Sequence, residues 1–104
     1  MKIRMIYITA ADREEARRIA ETLVSERLAA GVNILDGVNS LYRWKGEIRD
    51  EREAVLIAKT TEALVPDLVE RVKALHSYEC PCIVSLPVAA GNPAFLEWVA
   101  AETT

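Results

Sequence analysis

The stretch from Asn33 to Thr60 limits what this chain can fold into more than any other. Asn33 to Trp44 carries no helical period, Lys45-Gly46 is a turn signal, and Glu47 to Thr60 returns as a second extended arm. The first arm alone spans about 40 Å when extended, about twice an ordinary strand. A domain of this size has a radius of gyration of about 13 Å, so part of the hairpin overhangs the body. The inner half of the second arm, Ala54-Val55-Leu56-Ile57-Ala58, is apolar without a break, while Glu47 to Glu53 is almost all charged. The hairpin is thus expected to root in the core and end in a polar tip. Leu41, Tyr42, Trp44 and Ile48 sit on the overhang, where unpaired backbone and aromatic surface call for cover. A second copy of the chain, pairing strands across a symmetric interface, is the expected cover. The competing reading is a hairpin that bends at Asp36-Gly37 and folds back on its own sheet.

The flanking segments read more simply. Ile3 to Thr9 is a buried strand, and Asp12 with Glu15 looks like an N-cap with its capping-box partner. Ala16, Ile19, Ala20, Leu23, Val24 and Leu28 follow at helical spacing, with Gly31 as the expected left-handed stop. A second helix opens after Thr60-Thr61, close to Leu64 because Pro66 is tolerated only in a first turn. Its stripe is Leu64, Val65, Leu68, Val69, Val72 and Leu75, and His76 ends it. Pro81 to Val88 is a strand whose prolines suit an edge. Asn92 caps a last helix that begins at Pro93 and turns Phe95, Leu96 and Val99 to the core. The order β-α-β-β-α-β plus a terminal helix predicts an α+β fold of the ferredoxin-like, split βαβ type, with residues 1–104 as one domain.

Charge and composition exclude several functions. The net charge is −3 and no Lys/Arg run exceeds two residues, so a phosphate-tracking surface and a nucleic-acid partner are not expected. No apolar stretch is long enough to span a bilayer. Two cysteines make no disulfide framework and no signal peptide precedes the first strand, which points to the cytoplasm. A phosphate-binding glycine loop and a serine elbow are missing, and a Cys-His pair would lack an orienting third group. Catalysis is therefore not expected.

Chemistry concentrates in His76-Ser77-Tyr78-Glu79-Cys80-Pro81-Cys82, which holds the single histidine and both cysteines. One imidazole and two thiols suit Cu(I) or zinc, and a closed zinc site would need a fourth ligand from Glu79, a neighbouring subunit or water. The plainer reading is a histidine capping a helix and two structural thiols. Lys59, with Thr60 and Thr61 before a helix, suits an anion or simple capping. Tyr42 and Trp44 suit an inter-subunit pocket with Tyr78, or interface packing. The run Arg49-Asp50-Glu51-Arg52-Glu53 reads as a solvated tip, since neighbours on a strand face opposite ways.

Several segments together resemble the CutA family of divalent-cation tolerance proteins: Leu28-Ala29-Ala30-Gly31-Val32-Asn33-Ile34, Ser40-Leu41-Tyr42-Arg43-Trp44-Lys45-Gly46-Glu47-Ile48, Lys59-Thr60-Thr61, Leu75-His76-Ser77-Tyr78-Glu79-Cys80-Pro81, and the ending from Leu86 to Trp98. The resemblance covers nearly the whole chain. It implies an intertwined cytoplasmic homotrimer, joined by the long hairpins, that answers to divalent metals and binds copper, with no obligatory cofactor. Its architecture is also similar to that of PII-type signalling trimers, which suggests as an alternative a small anionic ligand in inter-subunit clefts. The chain departs from the family's pattern at Gly31, where Cys is frequent, at Ser77, where proline is frequent, and at Pro81-Cys82, where Pro-Glu is frequent. The residues that carry over are Tyr42, Trp44, Lys59, His76 and Tyr78. Cys80 and Cys82 are this chain's own additions.

Overall fold

A computed structural model describes residues 2–104. Strand β1 (Ile3–Ala10) leads to helix α1 (Arg13–Ser25), then to β2 (Gly31–Trp44) and β3 (Glu47–Thr61). A single 3-10 turn at Glu62–Leu64 precedes α2 (Val65–Leu75), which is followed by β4 (Ile83–Pro87) and α3 (Pro93–Glu102). The strands form one antiparallel sheet in the order β2-β3-β1-β4. This is the expected split βαβ arrangement, with β4 on an edge as its prolines required.

Alternation along the strands decides which face is covered. Ile6, Ile8 and Ala10 of β1 share a face with Ala58, Leu56 and Ala54 of β3. That face packs on Ile19 and Leu23 of α1 and Leu68 and Val72 of α2, all fully buried. α3 crosses the opposite face only at its Ile3 end, where Ile3, Ala30 and Val99 form a smaller cluster. Beyond α3 that face is uncovered, and Tyr7, Leu35, Val84 and Leu86 remain exposed on it.

β1 pairs with β3 only as far as Ala10↔Ala54. Past that point Val38–Trp44 and Glu47–Glu53 pair with each other alone, as a two-stranded ribbon that stretches the chain to 44 × 25 × 22 Å. Lys45 and Gly46 close it with φ of 49° and 80°, the left-handed pair that a two-residue hairpin turn requires.

Two expectations are corrected. Gly31 does not stop α1; it begins β2. The left-handed residue is Arg27, at φ 60°. Leu28 N–H donates to Leu23 O and Arg27 N–H to Val24 O, the Schellman pattern. Arg27 tolerates the position because its guanidinium is held by the carbonyls of Ala101 and Thr104 at the end of α3. Phe95 was expected in the core but is 43% exposed, because α3 covers only the sheet's end and turns Val99, not Phe95, toward it.

Candidate functional site

Where the ribbon leaves the sheet, the segment between α2 and β4 passes over it and encloses a cleft of about 780 Å³. The position of that segment follows from a helix cap at the other end of the chain. Asp12 Oδ1 accepts the Glu15 N–H at 2.9 Å, as a capping residue does. The Glu15 carboxylate, 3% exposed, then accepts the N–H of Ala11 at 2.9 Å and that of Ser77 at 2.8 Å. It thus reaches one residue further back than a capping box does and ties the start of α1 to the segment after α2. Burial alone would raise the Glu15 pKa, but the hydrogen bonds from Ala11 and Ser77 outweigh it and hold it low.

His76 is the second anchor. Its N–H closes α2 onto Val72 O at 2.9 Å. Its Nδ1 accepts the Tyr78 N–H at 3.1 Å, and its Nε2 lies 2.7 Å from Thr9 O. A backbone N–H can only donate and a carbonyl can only accept, so the proton sits on Nε2. The Tyr78 ring leans on the imidazole with centroids 4.7 Å apart. Both ring nitrogens are therefore engaged in positioning the segment, and coordination of a metal by His76 requires release of Thr9 O or of Tyr78 N–H.

The ribbon's side chains reach the cleft through a bulge. Leu35 faces Val55, but Val38, not residue 37, faces Glu53, so β2 carries one extra residue at Asp36-Gly37. Gly37 takes φ 67° there. One extra residue inverts the alternation: Val38, Ser40, Tyr42 and Trp44 now share the face of Glu53, Val55 and Tyr7. An unbulged strand would have turned Leu41 and Arg43 to that face instead of Tyr42 and Trp44.

Three of the four residues expected in a ligand cleft, Tyr42, Trp44 and Tyr78, do line one cleft, together with Cys80 and Cys82. Lys59 does not. It lies six residues beyond Glu53 on β3, opposite Gly31, and its ammonium donates to Asn33 Oδ1. Partial burial lowers its pKa. Glu53 takes a place the sequence reading missed. It was read as part of a solvated tip, and Arg49 to Arg52 are indeed exposed, but Glu53 is only 8% exposed. Tyr78 Oη donates to its Oε2 at 2.6 Å. Burial and this carboxylate raise the Tyr78 pKa far above the usual phenol range. Burial, aided by the Glu53 charge, also raises the Cys82 thiol. The one available signal was position: Glu53 adjoins the apolar run that begins at Ala54.

Cys80 and Cys82 are free and exposed on the cleft. Cys82 continues the β1–β4 ladder, its carbonyl accepting the Thr9 N–H at 3.4 Å. Among the described residues no group of three or more His, Cys, Asp or Glu side chains is gathered to hold one ion. His76, Cys80 and Cys82 thus lie close along the chain but form no ready-made centre.

A family model described as CutA1 divalent ion tolerance protein matches residues 4–102. The chain is 50% identical over 99 residues to the divalent-cation tolerance protein CutA of Thermus thermophilus, covering 95% of this chain and 96% of that one. It is 41% identical to the chloroplastic CutA 1 of rice over 95% of its own length but 56% of that protein's. Among solved structures, the Thermus thermophilus protein superposes with a TM-score of 0.95 at 49% identity over 98% and 99% of the two chains. Rice CutA1 superposes at 0.97 with 39% identity over 100% and 95%.

Proposed function

Because this chain belongs to the CutA1 divalent ion tolerance family, we propose that it is a non-enzymatic homotrimer of one domain per chain that captures copper or another soft or divalent metal ion in the cytoplasm. The observation that carries the metal reading is the pair of exposed thiols, Cys80 and Cys82, on a cleft that also holds the carboxylates of Glu53 and Glu79. Thiolates favour Cu(I) and zinc, and the metal displaces the thiol protons that burial helps to retain at Cys82. His76 acts first by fixing the segment and can enter the ligand set only by giving up one of its two hydrogen bonds. The remaining ligands come from water or a neighbouring copy.

The trimer is supported by the sheet face that α3 leaves uncovered, where Tyr7, Leu35, Val84 and Leu86 are exposed, and by Leu41 and Ile48, exposed on the other side of the ribbon. Exposed apolar clusters of that kind mark interaction surfaces. Among the described residues no helix is long and apolar enough to cross a membrane. The cytoplasm is the compartment in which exposed free thiols persist. An anionic ligand is the weaker reading, because Lys59, the cation offered for it, lies away from the cleft and is bonded to Asn33.

Calorimetric titration under reducing conditions with Cu(I) and Zn(II) tests the site. Cys80→Ser/Cys82→Ser is expected to lose at least tenfold in affinity, whereas His76→Ala loses less. Unchanged affinity in the double variant would refute the thiol site.

A further inference from the structure

The bulge at the root of the ribbon carries a reactive pair that the metal cleft does not use. Leu35 faces Val55 and Val38 faces Glu53, so Asp36 and Gly37 together stand opposite Ala54. Ala54 belongs to the side of the sheet that carries α1 and α2, so the pair lies away from the face left open to other copies. Both residues are exposed. The Gly37 N–H donates to Asp36 Oδ1 at 2.8 Å. A nitrogen held at that distance from one carboxyl oxygen stands about 3–3.5 Å from the carbon that bears it, the spacing of a near-attack pair. Glycine also leaves the flank of the nitrogen open, where a Cβ would meet the Arg52 guanidinium at 3.0 Å. The bulge holds the pair in this geometry, with Gly37 at φ 67°.

The other aspartates are arranged differently. Asp12 Oδ1 accepts the N–H of Glu15, three residues on, as the cap of α1. Asp50 Oδ1 accepts from the Asn39 side chain across the ribbon. Asp67 lies in α2, where the next N–H runs along the helix axis and away from the side chain. Among the described residues, Asp36 is the one aspartate whose carboxyl group takes the N–H of its immediate successor.

We propose that Asp36-Gly37 is a self-modification site, at which the folded chain closes a succinimide and reopens it as isoaspartate. The Gly37 nitrogen bonds to Asp36 Cγ and one carboxyl C–O bond breaks. That oxygen departs as water with the carboxyl proton and the amide proton, which the hydrogen bond already directs to Oδ1. Water then adds at the main-chain carbonyl of Asp36 and breaks its bond to the Gly37 nitrogen. The water lost is regained, so the change is an isomerisation and needs no oxidant or reductant. The chain now runs through Cβ and Cγ of residue 36, one carbon longer, and the former main-chain carbonyl is a free carboxylate. An arm that already holds one extra residue is lengthened again, and the alternation that turns Tyr42 and Trp44 toward the side of Glu53 is lost.

The test incubates the full chain in oxygen-labelled water, folded and in urea, at one temperature and one mildly acidic pH. Peptide mass spectrometry with electron-transfer fragmentation locates the label and separates isoaspartate from aspartate. The folded chain is expected to gain label and isoaspartate at Asp36 severalfold faster than the unfolded one, with Asp12, Asp50 and Asp67 unlabelled. Labelling in the folded chain that is no faster than in urea, or that falls equally on the other aspartates, would overturn the assignment. Asp36→Glu, which would have to close a larger ring, is expected to abolish the product, but the folded-against-unfolded comparison needs no variant. Cys80→Ser/Cys82→Ser labels at the wild-type rate, which separates this site from the metal reading. The isoaspartyl form, isolated by ion exchange, is expected to show a moved Trp44 indole N–H signal in NMR, with Trp98, packed on Gly31, unmoved as the internal control. An unmoved Trp44 signal would overturn the loss of alternation.

Discussion

The sheet beneath the helices and the ribbon beyond it are built from the same two strands, yet they obey different physics. From Val55 to Lys59, β3 has a strand on each side and two helices on one face, and its inward residues are buried. From Glu47 to Arg52 it has one neighbouring strand and every residue is exposed, Ile48 at 71%. An isolated two-stranded ribbon is marginal in water. The body therefore holds itself together, whereas the ribbon is held by its turn, its bulge and whatever it pairs with. The candidate site lies at the seam, where β1 ends and Glu53 is still buried.

The largest expected difference between the two regions is in packing. Leu56→Ala, in the fully buried layer, is predicted to cost about 2–5 kcal/mol in denaturant unfolding. Leu41→Ala, at 68% exposure on the ribbon, changes the stability of a lone chain by roughly 0.5 kcal/mol or less. If the ribbon is an interface, Leu41→Asp instead dissociates the assembly while leaving the fold intact by circular dichroism. A Leu41→Ala loss as large as that of Leu56→Ala, already in a monomeric state, would erase the distinction.

The cap that joins the two ends of the body comes next. Glu15→Ala leaves the N–H groups of Ala11 and Ser77, both on exposed residues, to water, at a cost of roughly 0.5–1.5 kcal/mol for each lost hydrogen bond. The sign of its pH dependence follows from the lowered pKa. A carboxylate held below its unfolded value adds stability that is present above the unfolded pKa and is lost as pH falls through the folded one. Glu15→Gln is therefore predicted to flatten the acid limb of a plot of melting temperature against pH, with little change in slope near neutrality. A wild-type acid limb would show that the hydrogen bonds to Ala11 and Ser77 do not hold the charge.

At the seam, Gly37→Val is predicted to cost about 1–3 kcal/mol, since a branched side chain is forced to positive φ. Its Cβ would also approach the Arg52 guanidinium to 3.0 Å. The variant is expected to move Trp44 out of the cleft, which a changed Trp44 indole N–H shift reports; an unchanged signal would mean that the bulge does not set the alternation. The smallest effect is local. Removing the Glu53 charge lowers the Cys82 thiol pKa, because that carboxylate helps to raise it. In a Cys80→Ser background, Glu53→Gln should therefore be alkylated a few-fold faster near neutral pH. A slower reaction would contradict the assigned geometry.

What could be read from the residues follows the same division. The stripe Ala16, Ile19, Ala20, Leu23 and the apolar run Ala54 to Ala58 are periodic, local signals, and both lie in the core. The doubled strand length announced the ribbon, while Asp36-Gly37, offered as the point where the hairpin folds back, is a one-residue bulge that leaves it extended. The misread positions are those decided by partners remote in sequence. Arg27 replaces Gly31 at the helix end because α3 offers it carbonyls 74 and 77 residues away. Glu53 is buried because Tyr78, 25 residues on, donates to it. In the sequence His76 stands with Cys80 and Cys82 as a metal ligand, and only the fold reveals that Thr9, 67 residues earlier, occupies its Nε2.

The claim on which the rest depends is that the ribbon is completed by other copies of the chain. Sedimentation velocity at low micromolar concentration, without added metal, measures this directly. One species of about three times the 11.6 kDa chain mass is predicted, falling to a single-chain mass in Leu41→Asp. A wild-type protein that sediments as an 11.6 kDa monomer with its ribbon ordered would contradict the account.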